Sequence, residues 1–196
     1  TAALQDPKMM AQINNRHLNA CHYLDGQLSR VFEALKKKGL LDSTIVILTG
    51  DHGEEFMETG NWGHNNDFVT AQIHVPLVMH IPGKSALVSE RMTSHLDIPA
   101  TVLTALGVEN PPEDYTSGHD LFGPFVREST LVADWNQIVY VTADRFVTFP
   151  LKGFGVIQQR VCDRSGRTVP EASGDLDRLA PRLMGSLRGL RRFYAN

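Results

Sequence analysis

Apolar residues in the first part of the chain recur at mostly three- and four-residue intervals: Ile13, Cys21, Leu24, Leu28, Val31, Phe32 and Leu35. That period places one apolar stripe along a helix. Asp6-Pro7 supplies a capping acid followed by the residue favoured at the first helical position. Lys36-Lys37-Lys38 sits where cations suit the negative end of the helix dipole, and Gly39 is the expected left-handed stop. The pattern predicts a helix over about residues 7–38. At Thr44 the period breaks. Thr44-Ile45-Val46-Ile47-Leu48-Thr49 is an unbroken β-branched and aliphatic run ended by Gly50, and residues 75–81 repeat the signature before Pro82-Gly83. Short apolar runs bounded by turn residues read as strands buried on both faces, as in a parallel sheet.

Helical spacing returns over residues 97–106, with Asp97 as the candidate N-cap, Pro99 in the first turn and Gly107 as the stop. Asn110-Pro111-Pro112 is a linker-like break, and residues 115–123 form a turn-rich connection. Short apolar runs at 130–135, 138–142 and 145–149 then alternate with turn residues, which predicts an antiparallel meander. A further strand signal covers 156–161, and a last helix is expected over roughly 176–187. The expected class is α/β. Parallel strands at about 44–49 and 75–81 are packed by the helices at 7–38 and 97–106, with a small meander and a helix after residue 130. An exposed apolar sheet edge is expected, and self-association to cover it. Residues 1–122 read as the α/β core and 123–196 as the meander and basic terminal helix of the same domain.

Composition narrows the picture. A chain of 196 residues that is 42% hydrophobic buries one substantial core and at most a small second subdomain. Cys21 and Cys162 make no disulfide framework and have no neighbours at metal-ligand spacing, and Cys21 reads as a core residue. No secretory leader is evident and no apolar run approaches the ~18 residues of a membrane helix, so the piece is expected to be soluble. The net charge of −3 conceals an asymmetry: residues 1–144 carry 9 basic against 18 acidic side chains, and the remainder 10 against 4. Most of the arginines are expected to dock onto the acidic remainder. The terminal Arg188, Arg191 and Arg192 are expected to face anionic lipid.

Candidate chemistry concentrates where the first strand ends, at Gly50-Asp51-His52-Gly53-Glu54-Glu55. In open α/β sheets ligands collect beyond the carboxyl ends of strands. A hard oxygen beside an imidazole nitrogen makes half of a metal site. The alternative is that Asp51 caps the next turn and His52 bonds a backbone carbonyl. The loop over residues 57–67 is long, polar and glycine-punctuated, with Trp62 and His64 as the side chains that have something to offer a ligand. His74 and His80 read as satisfied strand residues, and His17 and Asp25 as solvated or structural.

The order of these parts carries a resemblance. Tyr23-Leu24-Asp25-Gly26-Gln27-Leu28 precedes Asp42-Ser43-Thr44-Ile45-Val46, then come Asp51-His52-Gly53-Glu54, Gly63-His64, His74-Val75-Pro76-Leu77-Val78 and His95-Leu96-Asp97-Ile98-Pro99-Ala100-Thr101. Over residues 17–122 this resembles the C-terminal half of a sulfatase-like domain of the alkaline phosphatase superfamily. Ser117-Gly118-His119-Asp120-Leu121-Phe122, the meander and the Arg192-Phe193-Tyr194-Ala195-Asn196 end resemble one branch of it. That branch is the YejM (PbgA) type of inner-membrane protein, with a periplasmic sulfatase-like domain behind a membrane region.

The resemblance implies a metal-assisted attack on a sulfate or phosphate ester, with Asp51 and His52 as ligands of a divalent ion (zinc, manganese, magnesium or calcium) and His64 as the catalytic residue touching the anionic group. It also implies that the nucleophile and first acidic ligands precede residue 1, so that the chain alone is inactive. The implied partners are that N-terminal half and its membrane region, with anionic lipid or lipopolysaccharide in reach and no nucleic acid. The alternative reading is a non-catalytic regulatory domain that recognises lipopolysaccharide or anionic lipid at the periplasmic face of a bacterial inner membrane.

Overall fold

A computed structural model describes residues 6–65, 67–151, 160–170 and 173–193. By its internal contacts the chain divides into two compact units, one of residues up to 67 with 74–86, the other of 68–73 with 87 onward.

In the first unit, helix α1 spans Pro7–Lys37. Asp6 Oδ1 accepts from the Lys8 N–H at 2.9 Å, Lys36 and Lys37 occupy the last turn, and Gly39 adopts φ +67° beyond it. The caps thus fall where the side chains predict. The apolar stripe does not become a core: no residue of α1 is buried, and Cys21 is exposed rather than internal.

Strand β1 (Val46–Thr49) and strand β4 (Leu77–His80) are the two apolar runs. They pair with each other, Val46 opposite His80 and Thr49 opposite Leu77, but antiparallel. This corrects the parallel expectation. A parallel partner needs a crossover, normally helical. The polypeptide between them instead spends its length on the hairpin β2 (Glu55–Phe56) and β3 (Trp62–Gly63), followed by the short helix α2 (Thr70–Ile73). Nor are the strands covered on both faces, since Val78 is 60% exposed. His80 is satisfied as expected, its Nε2 lying 3.2 Å from the Leu41 carbonyl.

The second unit holds helix α3 (Asp97–Ala105) and a meander of β5 (Ser129–Ala133), β6 (Gln137–Thr142), β7 (Arg145–Pro150) and β8 (Arg160–Asp163), in that spatial order and antiparallel throughout. Side chains alternate between its two faces, as strand geometry requires. Tyr140, Val147 and Val161 pack with Leu179 and Leu183 of helix α4 (Ser173–Arg191). Val139, Val141, Phe146 and Cys162 pack with Phe68 and Ile73 on the other face. The predicted strand at 156–161 lies partly outside the described residues, and β8 begins at Arg160.

Asp97 opens α3 but is not its cap. Its carboxylate is fully buried, takes two bonds of 2.6 Å from the Arg127 guanidinium, and accepts from the backbone N–H groups of Ser94 and His119. A charge so placed is tolerable because donors meet both of its oxygens. Among the described residues no helix is long and apolar enough to cross a membrane.

Candidate metal centre

β1 delivers the chain to Gly50, where a side-chain carbon would come within 3.2 Å of the His52 carbonyl. The tight approach turns Asp51 and His52 out past the strand end. Asp51 is 91% exposed at its side chain, and its Oδ1 accepts from the His52 N–H at 3.0 Å. That bond holds the Asp51 carboxyl below its usual range, with a further contribution from the neighbouring imidazoles. So Asp51 does brace the turn locally, as the simpler expectation held.

Its second oxygen lies 3.8 Å from His52 Nε2, too long for a hydrogen bond. His52 Nδ1 lies 2.9 Å from the Gly53 carbonyl. A carbonyl only accepts, so Nδ1 carries the proton of the neutral ring and Nε2 keeps its lone pair. A backbone bond to one ring nitrogen that frees the other is the usual arrangement of a metal-binding histidine.

The β2–β3 hairpin then brings His64 back. Glu55 pairs with Gly63 and Phe56 with Trp62, the last two meeting edge to face at 4.9 Å, while the His17 ring of α1 lies 4.7 Å from Phe56. His17 is thus structural, as expected. Gly63 needs its left-handed φ of +88°, and Asn65 follows at +63°. His64 ends with its ring 4.0 Å from that of His52 and its Nδ1 3.1 Å from Glu54 Oε2. His52, Glu54 and His64 each offer one donor atom, all within 4.8 Å of one another. The structure therefore gathers all three predicted residues, Asp51, His52 and His64, at one loop.

Sequence reasoning passed over Glu54 as a donor. It stands inside the Asp-His-Gly-Glu motif, but only the hairpin return reveals its partner. Two imidazoles and a carboxylate at this spacing, with Asp51 beside His52, are a donor set that could hold a divalent metal ion.

A family described as Sulfatase matches residues 2–108. The inner membrane protein YejM of Salmonella typhimurium is 29% identical over 182 residues, covering 92% of this chain; the chain spans 29% of that relative's length. A solved 2-O GAG sulfatase superposes at TM-score 0.71 with 16% identity, covering 98% of this chain and 45% of that one. An alkaline phosphatase superfamily protein from Vibrio parahaemolyticus superposes at 0.60 with 21% identity, covering 86% of this chain and 40% of its own. The two superpositions speak for the fold, and the family match covers more than half of the sequence, including every residue of the centre. The chain belongs to the sulfatase family.

Proposed function

We propose that this chain supplies one side of a metal-dependent site acting on sulfate or phosphate esters, in a hydrolase or transferase domain held at the periplasmic face of a bacterial inner membrane. The observation that carries the reading is the convergence of His52, Glu54 and His64 within 4.8 Å, with Asp51 beside His52. His52, through Nε2, and Asp51, through its second oxygen, are the residues that would hold the cation. When bound, a divalent ion neutralises charge on the transferred group and lowers the pKa of an attacking hydroxyl. His64 would contact the ester oxygens as the doubly protonated ring, Nδ1–H donating to the Glu54 carboxylate and Nε2–H left to donate to the anionic group. The nucleophile and remaining acidic ligands would come from polypeptide preceding residue 1, and the chain alone is expected to turn over no ester.

Calorimetric titration with zinc and with manganese tests the centre. His52→Ala and Asp51→Ala are each expected to weaken binding by about tenfold or more, since even outer partners of metal ligands matter on that scale. Affinities equal to wild type in both variants would remove these residues as ligands.

A second reading has its own support. YejM, a relative matched along 92% of the chain, is an inner membrane protein. Arg188 and Arg191, in the last turn of α4, are exposed. In that reading the fold recognises anionic lipid or lipopolysaccharide. A longer protein that binds metal yet leaves generic sulfate and phosphate esters intact would favour it.

A further inference from the structure

The candidate centre depends on His64 arriving beside His52 from the far side of a hairpin with only two paired residues on each strand. One buried carboxylate closes its turn. Glu55 is 0% exposed. Its Oε1 accepts from the Thr59 N–H at 2.8 Å, from the Thr59 hydroxyl, and from the Asn61 N–H at 3.4 Å. Around it Met57 N–H donates to the Asn61 carbonyl and Gly60 N–H to the Met57 carbonyl. Met57 is thereby kept at φ +73°, a left-handed conformation that a side-chain-bearing residue adopts at a cost. Such a conformation persists only where its surroundings over-determine it. Register does the rest: with Glu55 opposite Gly63, closing the turn fixes where Gly63 ends and where the next residue, His64, begins.

We propose that Glu55 is the positioning residue of the centre, holding His64 against His52 and Glu54 through the turn it closes. It acts through Oε1 as a hydrogen-bond acceptor. The importance of the placement rests on the functional reading above; the placement itself does not. Three donors converge on one oxygen, so the amide oxygen of a glutamine at this position can receive all of them. A carboxylate needed for its charge or for a cation has no such replacement.

The test reads the chain without added metal. The nuclear Overhauser contact between the His52 and His64 rings is measured in wild type, Glu55→Gln, Glu55→Ala and Thr59→Val, with the amide shifts of the 129–150 meander as the control for folding. The contact is expected to survive in Glu55→Gln, to vanish in Glu55→Ala and to weaken in Thr59→Val, which removes one donor. A ring contact that persists in Glu55→Ala overturns the proposal, as does equal loss in Glu55→Gln and Glu55→Ala. If Glu55→Ala does not fold, the same comparison runs between Glu55→Gln, expected intact, and Thr59→Val, expected weakened; the reverse order overturns it. The ring contact is read metal-free, so a chain that binds no metal refutes the functional reading and leaves this result standing.

Discussion

A carboxylate in this chain is defined by what donates to it. Asp51, Glu55, Asp97 and Asp163 are all acidic, yet each does different work. Asp163 collects the backbone N–H groups of Ser165 and Arg167, the Ser165 hydroxyl and the Arg167 guanidinium. The hydroxyl bond leads these effects, and together they bring the Asp163 carboxyl down to about 2 from an ordinary 3.8. A depressed carboxylate stabilises the fold above its unfolded value and ceases to do so as pH falls through its folded value. The stability gap between wild type and Asp163→Asn is therefore expected to be complete above pH 3.8 and to close as pH approaches about 2. Chemical denaturation of both proteins across that range checks it; a gap constant down to pH 2 would contradict it.

Legibility at this scale followed sequence distance. Asp51 and His52 were readable because they are adjacent, and His64 through its motif. Glu54 needed the hairpin to show its partner. The Asp97–Arg127 pair, separated by 30 residues, left no local trace beyond an acid at a helix start.

Elements with strong local signals formed as their side chains direct. α1 begins and ends at its caps, and the meander follows the alternation of its strands. Pairing was less legible. β1 and β4 read as parallel partners because an apolar run reports burial and not direction, and the hairpin between them pairs only two residues on each strand.

One close approach is decisive for α3. A side-chain carbon at Gly118 would sit 1.8 Å from the Leu96 carbonyl oxygen, in backbone that cannot move aside as a flexible side chain can. The Thr116 hydroxyl already donates to that carbonyl and accepts from the Gly118 N–H. Gly118→Ala is expected to destabilise the chain by about 1–3 kcal/mol, the usual range for overpacking. Ala substituted at Gly26, where nothing lies within 4 Å, serves as the control. Denaturation midpoints compare the two, and equal effects would show that the approach at Gly118 is not tight.

For the whole molecule, what matters is that a chain spanning 29% of a matched relative's length brings its own metal-type donors together. The acidic residues 1–144 contain this centre, while the arginines that follow are engaged largely near the meander. Arg182 meets Glu128 at 2.9 Å, Arg164 donates to the Ala143 carbonyl and Arg192 to that of Thr116. The central claim is that the loop after β1 is a cation site. Anomalous diffraction from crystals soaked in manganese or zinc locates the ion without reference to substrate or turnover. The account predicts a peak at bonding distance, about 2.0–2.2 Å, from His52 Nε2 and a carboxylate oxygen of Asp51 or Glu54. Peaks elsewhere on the chain, with none at His52, would contradict it.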